Sequence, residues 1–410
     1  MERPVPHTTI CDLPRCSGYS IQAAPIREAS APTIMVSSNR NLREKRAGFP
    51  RLRCPGASLL CIMLFAAKVA GQPTQPPRTA LINPRAIAVN SVTHRVYVVD
   101  QPNDSVISED IRTGASTRIS VGRSPDALAI DTGLDRIYVV NSASDTVSVV
   151  DGDTQAVVAT VPAGRMPYAI AVDPDLHRVL VMNTYSSFVT SIDEASNRAT
   201  RLPLGAKDAV VVDSRLHRAW LLGYEDPSLT ALDETSGAAR RVPAAMHLWG
   251  LAIDEKRGIL YATESQSRAI LALKESTGAG TAISVGALPC AAVVDPRTGL
   301  VYVLNYADNS VSVVQSSTLR SLATIPVGQR PEAIAIDAKQ GRVYVANTHS
   351  NSVSVIDLAT RTVAATLPAG KNPYAIAVDP DLNAVYVADF GSPAYTRIAL
   401  PSGLGMAKGK

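Results

Sequence analysis

The chain has 410 residues, 46% hydrophobic and 19% charged, and its 40 basic and 36 acidic residues give a formal net charge of +4. This composition excludes a disordered chain and a collagen-like fibre. The basic excess lies in residues 1–71, which hold ten basic and four acidic residues. The remainder has 40 − 10 = 30 basic and 36 − 4 = 32 acidic residues, a net charge of −2. Nucleic-acid binding is therefore disfavoured, because such domains usually present a basic surface.

Residues 1–71 have the organisation of a leader with a secretory signal peptide. Six basic residues between positions 40 and 53 precede an apolar run of eleven residues at 57–67, and Ala70 and Gly71 follow it. A basic region, a short apolar segment and a small-residue cleavage site are typical of signal peptides. Eleven residues are short for a membrane span, so an uncleaved anchor is the less favoured alternative. We expect translation from Met35, cleavage near Gly71, and a periplasmic or secreted mature protein without a membrane span.

An apolar sequence motif of the form Pro-x-Ala-Ile-Ala-Val-Asp recurs along residues 72–410. We expect these residues to form a single domain. The Asx residue that closes each copy lies at Asn90, Asp131, Asp173, Asp213, Asp254, Asp295, Asp337 and Asp379. Successive copies are 40 to 42 residues apart. A period of this length, built from short β-type segments, is typical of the four-stranded units of a β-propeller.

The third copy illustrates the strands of one unit. Residues 169–173, 178–183, 188–193 and 199–204 are short segments rich in apolar residues, and Pro, Asp, Asn and Ser mark the turns between them. Such segments are typical of β-strands. The fold class is therefore predicted to be all-β.

The copies predict eight blades, with seven as the alternative. Seven copies have all four strands, and the eighth lacks its outer strand. Residues 78–82 stand just before the first copy, in the position of an outer strand. We expect this N-terminal strand to close the last blade, because an open ring would leave unpaired strand edges.

The second strand of most copies has a large aromatic side chain at one position. These residues are Tyr97, Tyr138, Trp220, Tyr261, Tyr302, Tyr344 and Tyr386, and Leu180 is the exception. Recurrence at one repeat position predicts packing between blades, not stacking on a ligand.

Residues 138–141, 302–305 and 344–347 (YVVN, YVLN and YVAN) resemble the motif of the YVTN-repeat β-propellers, and residues 351–357 (NSVSVID) resemble the strand that follows it. The resemblance covers about residues 80–400. It implies a bacterial extracytoplasmic propeller that binds or scaffolds, as in the YncE-like group. Members of that family are mostly seven-bladed, so the eight copies here are a departure.

The residue that follows the repeat Pro varies while the frame around it is constant. It is Arg85, Asp126, Tyr168, Asp208, Trp249, Cys290, Glu332 or Tyr374 in successive copies. Because these residues begin the innermost strands, we expect them to surround one mouth of the central channel. Their mixture of rings and charges suits a small polar or sugar-like ligand, and a protein partner is also open. Variation without function at exposed loop tips is the alternative.

His247 and Glu264 extend this candidate site. The fourth and fifth copies depart furthest from the repeat, since Lys207 and Leu248 replace the Pro and Glu264 replaces a recurring Asn or Asp. In propellers, the loops before the innermost strands share a face with those between second and third strands. We therefore expect His247, Trp249 and Glu264 to share the rim, with sequence drift as the competing explanation.

The remaining candidate residues are predicted to lie in turns and to take no part in catalysis or metal binding. His94, His177 and His217 stand four positions after the closing Asx, where other copies have Asp, Gly or Asn, so turn positions with positive φ are expected. No sequence motif for a catalytic triad, a metal loop or a phosphate loop is found. We expect no catalytic residue, metal or cofactor. Cys290 is the one cysteine after the leader, so an internal disulfide is excluded.

These features favour a non-enzymatic binding or scaffold protein. The first alternative is a metal-dependent lactonase- or lyase-like propeller enzyme, in which Asp126, Asp208, Glu264 and Glu332 would supply oxygen ligands. The second is single-stranded DNA binding through stacking on Trp249, Tyr168 and Tyr374.

Overall fold

The computed structural model describes residues 84–223, 226–245, 247–390, 392, 395–398 and 400, with the backbone alone for Pro84 and Arg85. These residues form 31 β-strands and one short 3-10 turn, Gln101–Asn103. Among them there is no helix long and apolar enough to cross a membrane. The predicted leader and the predicted closing strand at residues 78–82 lie outside the described residues.

The strands form eight consecutive antiparallel sheets, the blades, and each blade pairs its strands in chain order from the innermost outwards. Blade 1 comprises β1 (Pro84–Asn90), β2 (Arg95–Asp100), β3 (Ser105–Asp110) and β4 (Ser116–Ser120), and blade 2 comprises β5 (Pro125–Asp131), β6 (Arg136–Asn141), β7 (Thr146–Asp151) and β8 (Ala156–Pro162). Blade 3 comprises β9 (Pro167–Asp173), β10 (Arg178–Asn183), β11 (Val189–Asp193) and β12 (Arg198–Leu202), and blade 4 comprises β13 (Ala209–Asp213), β14 (Arg218–Leu222), β15 (Ser228–Asp233) and β16 (Ala239–Pro243). Blade 5 comprises β17 (Leu248–Asp254), β18 (Ile259–Glu264), β19 (Ala269–Lys274) and β20 (Gly280–Ser284), and blade 6 comprises β21 (Pro289–Val294), β22 (Leu300–Asn305), β23 (Ser310–Gln315) and β24 (Arg320–Pro326). Blade 7 comprises β25 (Pro331–Asp337), β26 (Arg342–Asn347), β27 (Ser352–Asp357) and β28 (Thr362–Pro368), and blade 8 comprises β29 (Pro373–Asp379), β30 (Ala384–Asp389) and β31 (Thr396–Ile398).

The innermost strands form a closed ring. Each contacts the innermost strand of the next blade, and β29 of blade 8 packs against β1 of blade 1. The prediction of an all-β propeller with eight blades is confirmed, and the seven-bladed alternative is wrong. Blade 8 has three strands among the described residues, and whether residues 78–82 add a fourth stays a prediction.

Side chains also join the first and last blades. Tyr386 of blade 8 is fully buried in one cluster with Ile87 and Val96 of blade 1. The ring nitrogen Nδ1 of His94 lies 2.6 Å from Oδ2 of Asp379, again across this boundary. Among the described residues, side-chain packing and this polar contact therefore join the first and last blades.

The recurring aromatic residues of the second strands pack between blades, as predicted. All seven are fully buried. Tyr97 of blade 1, for example, lies in one cluster with Leu128 and Val139 of blade 2, and Trp220 of blade 4 lies with Ile253 and Leu260 of blade 5. Since none is exposed, these rings cannot offer a stacking surface to a ligand.

The Asx residue that ends each innermost strand shapes the turn that follows. Oδ1 of Asp131 accepts hydrogen bonds from the backbone N–H groups of Gly133 at 2.7 Å and Leu134 at 3.0 Å, and Asp379 is used in the same way. Four residues after the Asx, the backbone is left-handed, with φ of 51° at His177 and 48° at His217. The prediction that these histidines occupy turns is confirmed.

A buried asparagine at the end of the second strand holds the loop that leads to the innermost strand. Nδ2 of Asn305 donates to the hydroxyl oxygens of Ser310 and Ser312 at 3.0 and 2.9 Å, and its Oδ1 accepts from the backbone of Gly286 at 3.0 Å. A Cβ on Gly286 would lie 2.5 Å from Cγ of Asn305. The close approach of Asn305 to the backbone therefore requires glycine at position 286, and Asn305 and Gly286 together fix the loop.

Candidate functional site

The predicted mouth residues occupy a β-bulge in seven of the eight innermost strands. In blade 6, Pro289 pairs with Asn305 and Ala291 with Leu304, so Cys290 is an extra residue without a partner on β22. The same shift occurs at the corresponding position in the first, second, third, fifth, seventh and eighth blades. A bulge re-aims one side chain while the pairing on either side continues. The variable repeat position is therefore also the structurally irregular one.

The bulged side chains of blades 2, 7 and 8 are half-buried and in contact with their neighbours. Asp126 accepts a hydrogen bond from Nε2 of Gln101 in blade 1. Burial raises the pKa of Glu332, and the hydroxyl of Thr348 partly offsets this rise. The ring of Tyr374 lies 6.3 Å from that of Phe390, tilted by 47°. These contacts hold charged and aromatic groups at the beginning of the innermost strands.

Two predicted positions differ from this pattern. Cys290 is buried, 7% exposed, and its thiol donates to the carbonyl of Pro331 at 3.5 Å. It is a packing residue and not an open thiol. Arg85 lies in the bulge of β1, and its side chain is outside the described part of the chain.

Blade 5 brings three predicted residues to one edge. The register pairs Leu248 with Glu264, so Trp249 follows directly at the bulge. His247 has a left-handed φ of 61°, like the residues at the same repeat position in other blades, and its carbonyl accepts from the backbone and hydroxyl of Ser265 at 3.1 and 3.0 Å. His247 is thus a loop residue next to the mouth.

Blade 4 lacks the bulge. Lys207, which replaces the repeat Pro, is 1% exposed, and its Nζ donates to Oδ2 of Asp226 at 2.9 Å. Burial opposes ionisation of Asp226, but Lys207, Ser228 and Arg241 together hold the pKa of this carboxyl below its usual value. Asp208 of this blade is half-buried at the start of the innermost segment. The departure of blade 4 from the repeat is thus a buried ion pair.

A cavity of about 190 Å³ lies on the channel axis, at the other end of the innermost strands. Apolar residues of seven innermost strands line it, together with Thr132, Pro174, Ser214 and Glu255 just beyond the strand ends. Burial, and then the charge of Asp213, raise the pKa of Glu255 to about 7. Sequence reasoning missed Glu255. The available signal was that the residue after the closing Asx is charged in this copy alone.

The predicted mouth residues do not meet around one ion. Asp126, Asp208, Glu264 and Glu332 belong to blades 2, 4, 5 and 7, and none of them joins a group of three ligand-type side chains among the described residues. These four carboxylates therefore do not form a shared cation site among the described residues.

A family model described as a YNCE-like beta-propeller matches residues 272–391. The YncE-like resemblance is confirmed for this stretch, which runs from β19 in blade 5 to the end of β30 in blade 8. A search of curated protein sequences gave no significant match.

Several solved structures share the fold. The chain is similar to Kuenenia stuttgartiensis hydrazine synthase, with 17% identity, a TM-score of 0.56 and coverage of 83% of this chain and 100% of that one. Dihydro-heme d1 dehydrogenase NirN is 17% identical, with a TM-score of 0.61 and coverage of 80% and 76%. A streptogramin B lyase is 12% identical, with a TM-score of 0.53 and coverage of 79% and 95%. At these identities the likeness shows the propeller fold alone.

Proposed function

We propose that this propeller is a non-enzymatic binding or scaffold protein that acts outside the cytoplasm and takes a small polar or sugar-like ligand at the mouth where the innermost strands begin. The observation that carries the proposal is the bulge: seven blades add one residue at this mouth, and that residue is the variable one. The leader predicted from the sequence of residues 1–71 supports export.

The chemistry of the mouth supports this ligand class. Tyr168, Trp249 and Tyr374 supply half-buried rings, while Asp126 and Glu332 supply carboxylates. Sugars present apolar faces and hydroxyl groups, and sites with a few fixed polar groups among aromatic rings accommodate both. The bulges position these side chains at the mouth, while the strand pairing continues on either side of each bulge.

Tryptophan fluorescence provides a direct test, because the chain has two tryptophans and only one lies at the mouth. Trp220 is fully buried between blades, whereas Trp249 is half-buried at the bulge of blade 5. Neutral monosaccharides and oligosaccharides would be titrated into the full chain and into its W220F and W249F variants. We expect a saturable emission change that survives in W220F and is lost in W249F.

Two carboxylate variants locate the site. E332Q removes a charge at the proposed mouth and should weaken binding about 10-fold, while E255Q changes the opposite end of the channel and should leave binding unchanged. If no sugar in the panel binds, the ligand class is wrong. If E255Q abolishes binding and E332Q does not, the ligand uses the other end of the channel.

The enzyme and DNA alternatives require different results. Cation-dependent hydrolysis of lactones that is lost in D126N or E264Q would overturn the non-enzymatic proposal. A shift of single-stranded DNA at physiological salt, lost in W249F, would replace the sugar-like ligand with nucleic acid.

A further inference from the structure

Three side chains of the types that bind metals meet at the boundary between blades 2 and 3. Asp131 ends β5, His177 lies in the turn before β10, and Glu194 directly follows β11. One nitrogen or oxygen of each side chain lies within 4.8 Å of the others. In the part of the chain that the structure describes, no other three His, Cys, Asp or Glu residues meet in this way.

The two carboxylates of this group are buried and incompletely paired. Glu194 is 5% exposed and Asp131 is 2% exposed. By donor–acceptor geometry, neither oxygen of Glu194 nor Oδ2 of Asp131 has a hydrogen-bond partner among the described residues, while Oδ1 of Asp131 is used by the turn. The hydroxyl of Tyr138 also lies beside the Glu194 carboxylate. An ionised carboxylate that is buried without partners is strongly destabilised. These oxygens therefore need a proton or a cation.

His177 completes the group from the solvent side. Its Nδ1 lies 3.4 Å from Oε2 of Glu194, and its side chain is 58% exposed. In a tetrahedral zinc site with bonds of about 2.1 Å, neighbouring ligand atoms are about 3.4 Å apart. The histidine and glutamate thus already have the separation of two zinc ligands, and the exposed imidazole leaves a path for an ion to enter.

The next two blade boundaries repeat the arrangement with instructive differences. Between blades 3 and 4, Asp173, His217 and Glu234 are the same residue types, but their ligand atoms do not all come within reach of one ion. Between blades 4 and 5, Gly258 replaces the histidine, and the indole of Trp220 donates to Glu275. The molecule therefore contains matched controls for the first group.

We propose that Asp131, His177 and Glu194 bind one divalent transition-metal ion of the zinc type, which clamps blade 2 to blade 3. An imidazole with two carboxylates suits Zn²⁺, whereas Ca²⁺ and Mg²⁺ prefer more oxygen ligands. The repeat pattern predicts only a turn for His177, and the turn is present. The side chain of His177 also lies beside Asp131 of blade 2 and Glu194 of blade 3.

Calorimetric titration with Zn²⁺ tests the proposal on the full, untagged chain with Cys11, Cys16, Cys54 and Cys61 changed to serine, so that leader thiols do not bind the ion. We expect one ion per chain and a higher melting temperature with Zn²⁺. Co²⁺ at the same site should give a visible absorption band of a nitrogen–oxygen site without thiolate charge transfer.

H177N is the decisive variant, because Asn383 occupies the same turn position in blade 8 with φ of 49°, so the fold should tolerate Asn. H177N and E194Q should weaken Zn²⁺ binding about 100-fold or more, and H217N and E234Q should leave it unchanged. The proposal is wrong if the parent chain binds no stoichiometric Zn²⁺, if H177N binds it like the parent, or if H217N loses it equally.

Discussion

The indole N–H of Trp220 donates to Oε1 of Glu275 at 2.6 Å across the boundary between blades 4 and 5. At the next boundary the hydroxyl of Tyr261 donates to Oγ of Ser316 at 2.8 Å. In both cases the aromatic residue of one second strand meets the residue that follows the third strand of the next blade. The ring therefore joins blades by a polar contact as well as by buried apolar area.

Removing the donor at the first of these boundaries should destabilise the propeller. W220F leaves Glu275 without its indole partner and removes part of a buried ring, so the free energy of unfolding should fall by roughly 2–4 kcal/mol. Urea unfolding followed by circular dichroism measures the change. W249F is the matched control, because Trp249 is half-buried at the mouth, and its effect should be clearly smaller. Equal effects would contradict a special role for the contact.

Glu234 should make stability depend on pH. Burial, and then the charge of Asp173, raise its pKa to about 8 from an ordinary value of 4.5. The folded state then binds this proton more tightly than the unfolded state, so the unfolding free energy contributed by Glu234 falls as pH rises from about 4.5 to about 8.

The variant E234Q removes this titration. We expect it to be more stable than the parent at pH 8.5, by roughly 2 kcal/mol, and nearly equal to it at pH 4.5. Urea midpoints at several pH values give the comparison. D233N is the control, since the neighbouring Asp233 is only partly buried and its pKa is lowered mainly by hydrogen bonds from Ser236. A pH-independent difference between E234Q and the parent would show that folding does not raise the pKa of Glu234.

The prediction that residues 78–82 close blade 8 can be tested by deletion. The structure describes three strands in that blade, so an N-terminal strand would cover an otherwise open edge of the sheet. Deleting residues 78–82 from the chain should lower the melting temperature by roughly 5 °C or more. Deletion of residues 72–76, a segment of similar length just upstream, should have little effect. Unchanged melting after the first deletion would show that the strand is not used.

The motif asparagines should be necessary for the loops that precede the innermost strands. N305A removes three buried hydrogen bonds, so that Ser310 and Ser312 lose the amide donor and the Gly286 N–H keeps only the longer contact to Oγ of Ser312 at 3.3 Å. A loss of about 2–4 kcal/mol is therefore expected in urea unfolding. N103A, at an exposed asparagine, should change stability by less than about 0.5 kcal/mol. A similar small effect of N305A would mean that water replaces the amide.

Much of the fold could be predicted because each copy encodes its own turns and strands. The Asx that accepts turn hydrogen bonds and the following residue with positive φ, such as Asp173 and His177, are local features. The bulge could not be predicted in the same way, because it depends on which residue of the second strand pairs with the repeat Pro, for example Asn305 with Pro289.

The group at the boundary of blades 2 and 3 was missed for a related reason. Asp131 and Glu194 are far apart in sequence and come together only when blades pack side by side. A signal did exist, since a histidine at the turn and a glutamate seventeen residues later occur together in the third and fourth copies alone, as His177 with Glu194 and His217 with Glu234.

The bulges at the mouth separate the variable residues from the strand pairing that builds the fold. Because the inserted residue takes no part in the ladder, it can be exchanged without disturbing the strand pairs on either side. An ancestral propeller could thus acquire new specificities by substitution at a few such points while its scaffold stayed intact. The same points are natural positions for randomised libraries in the engineering of new binders.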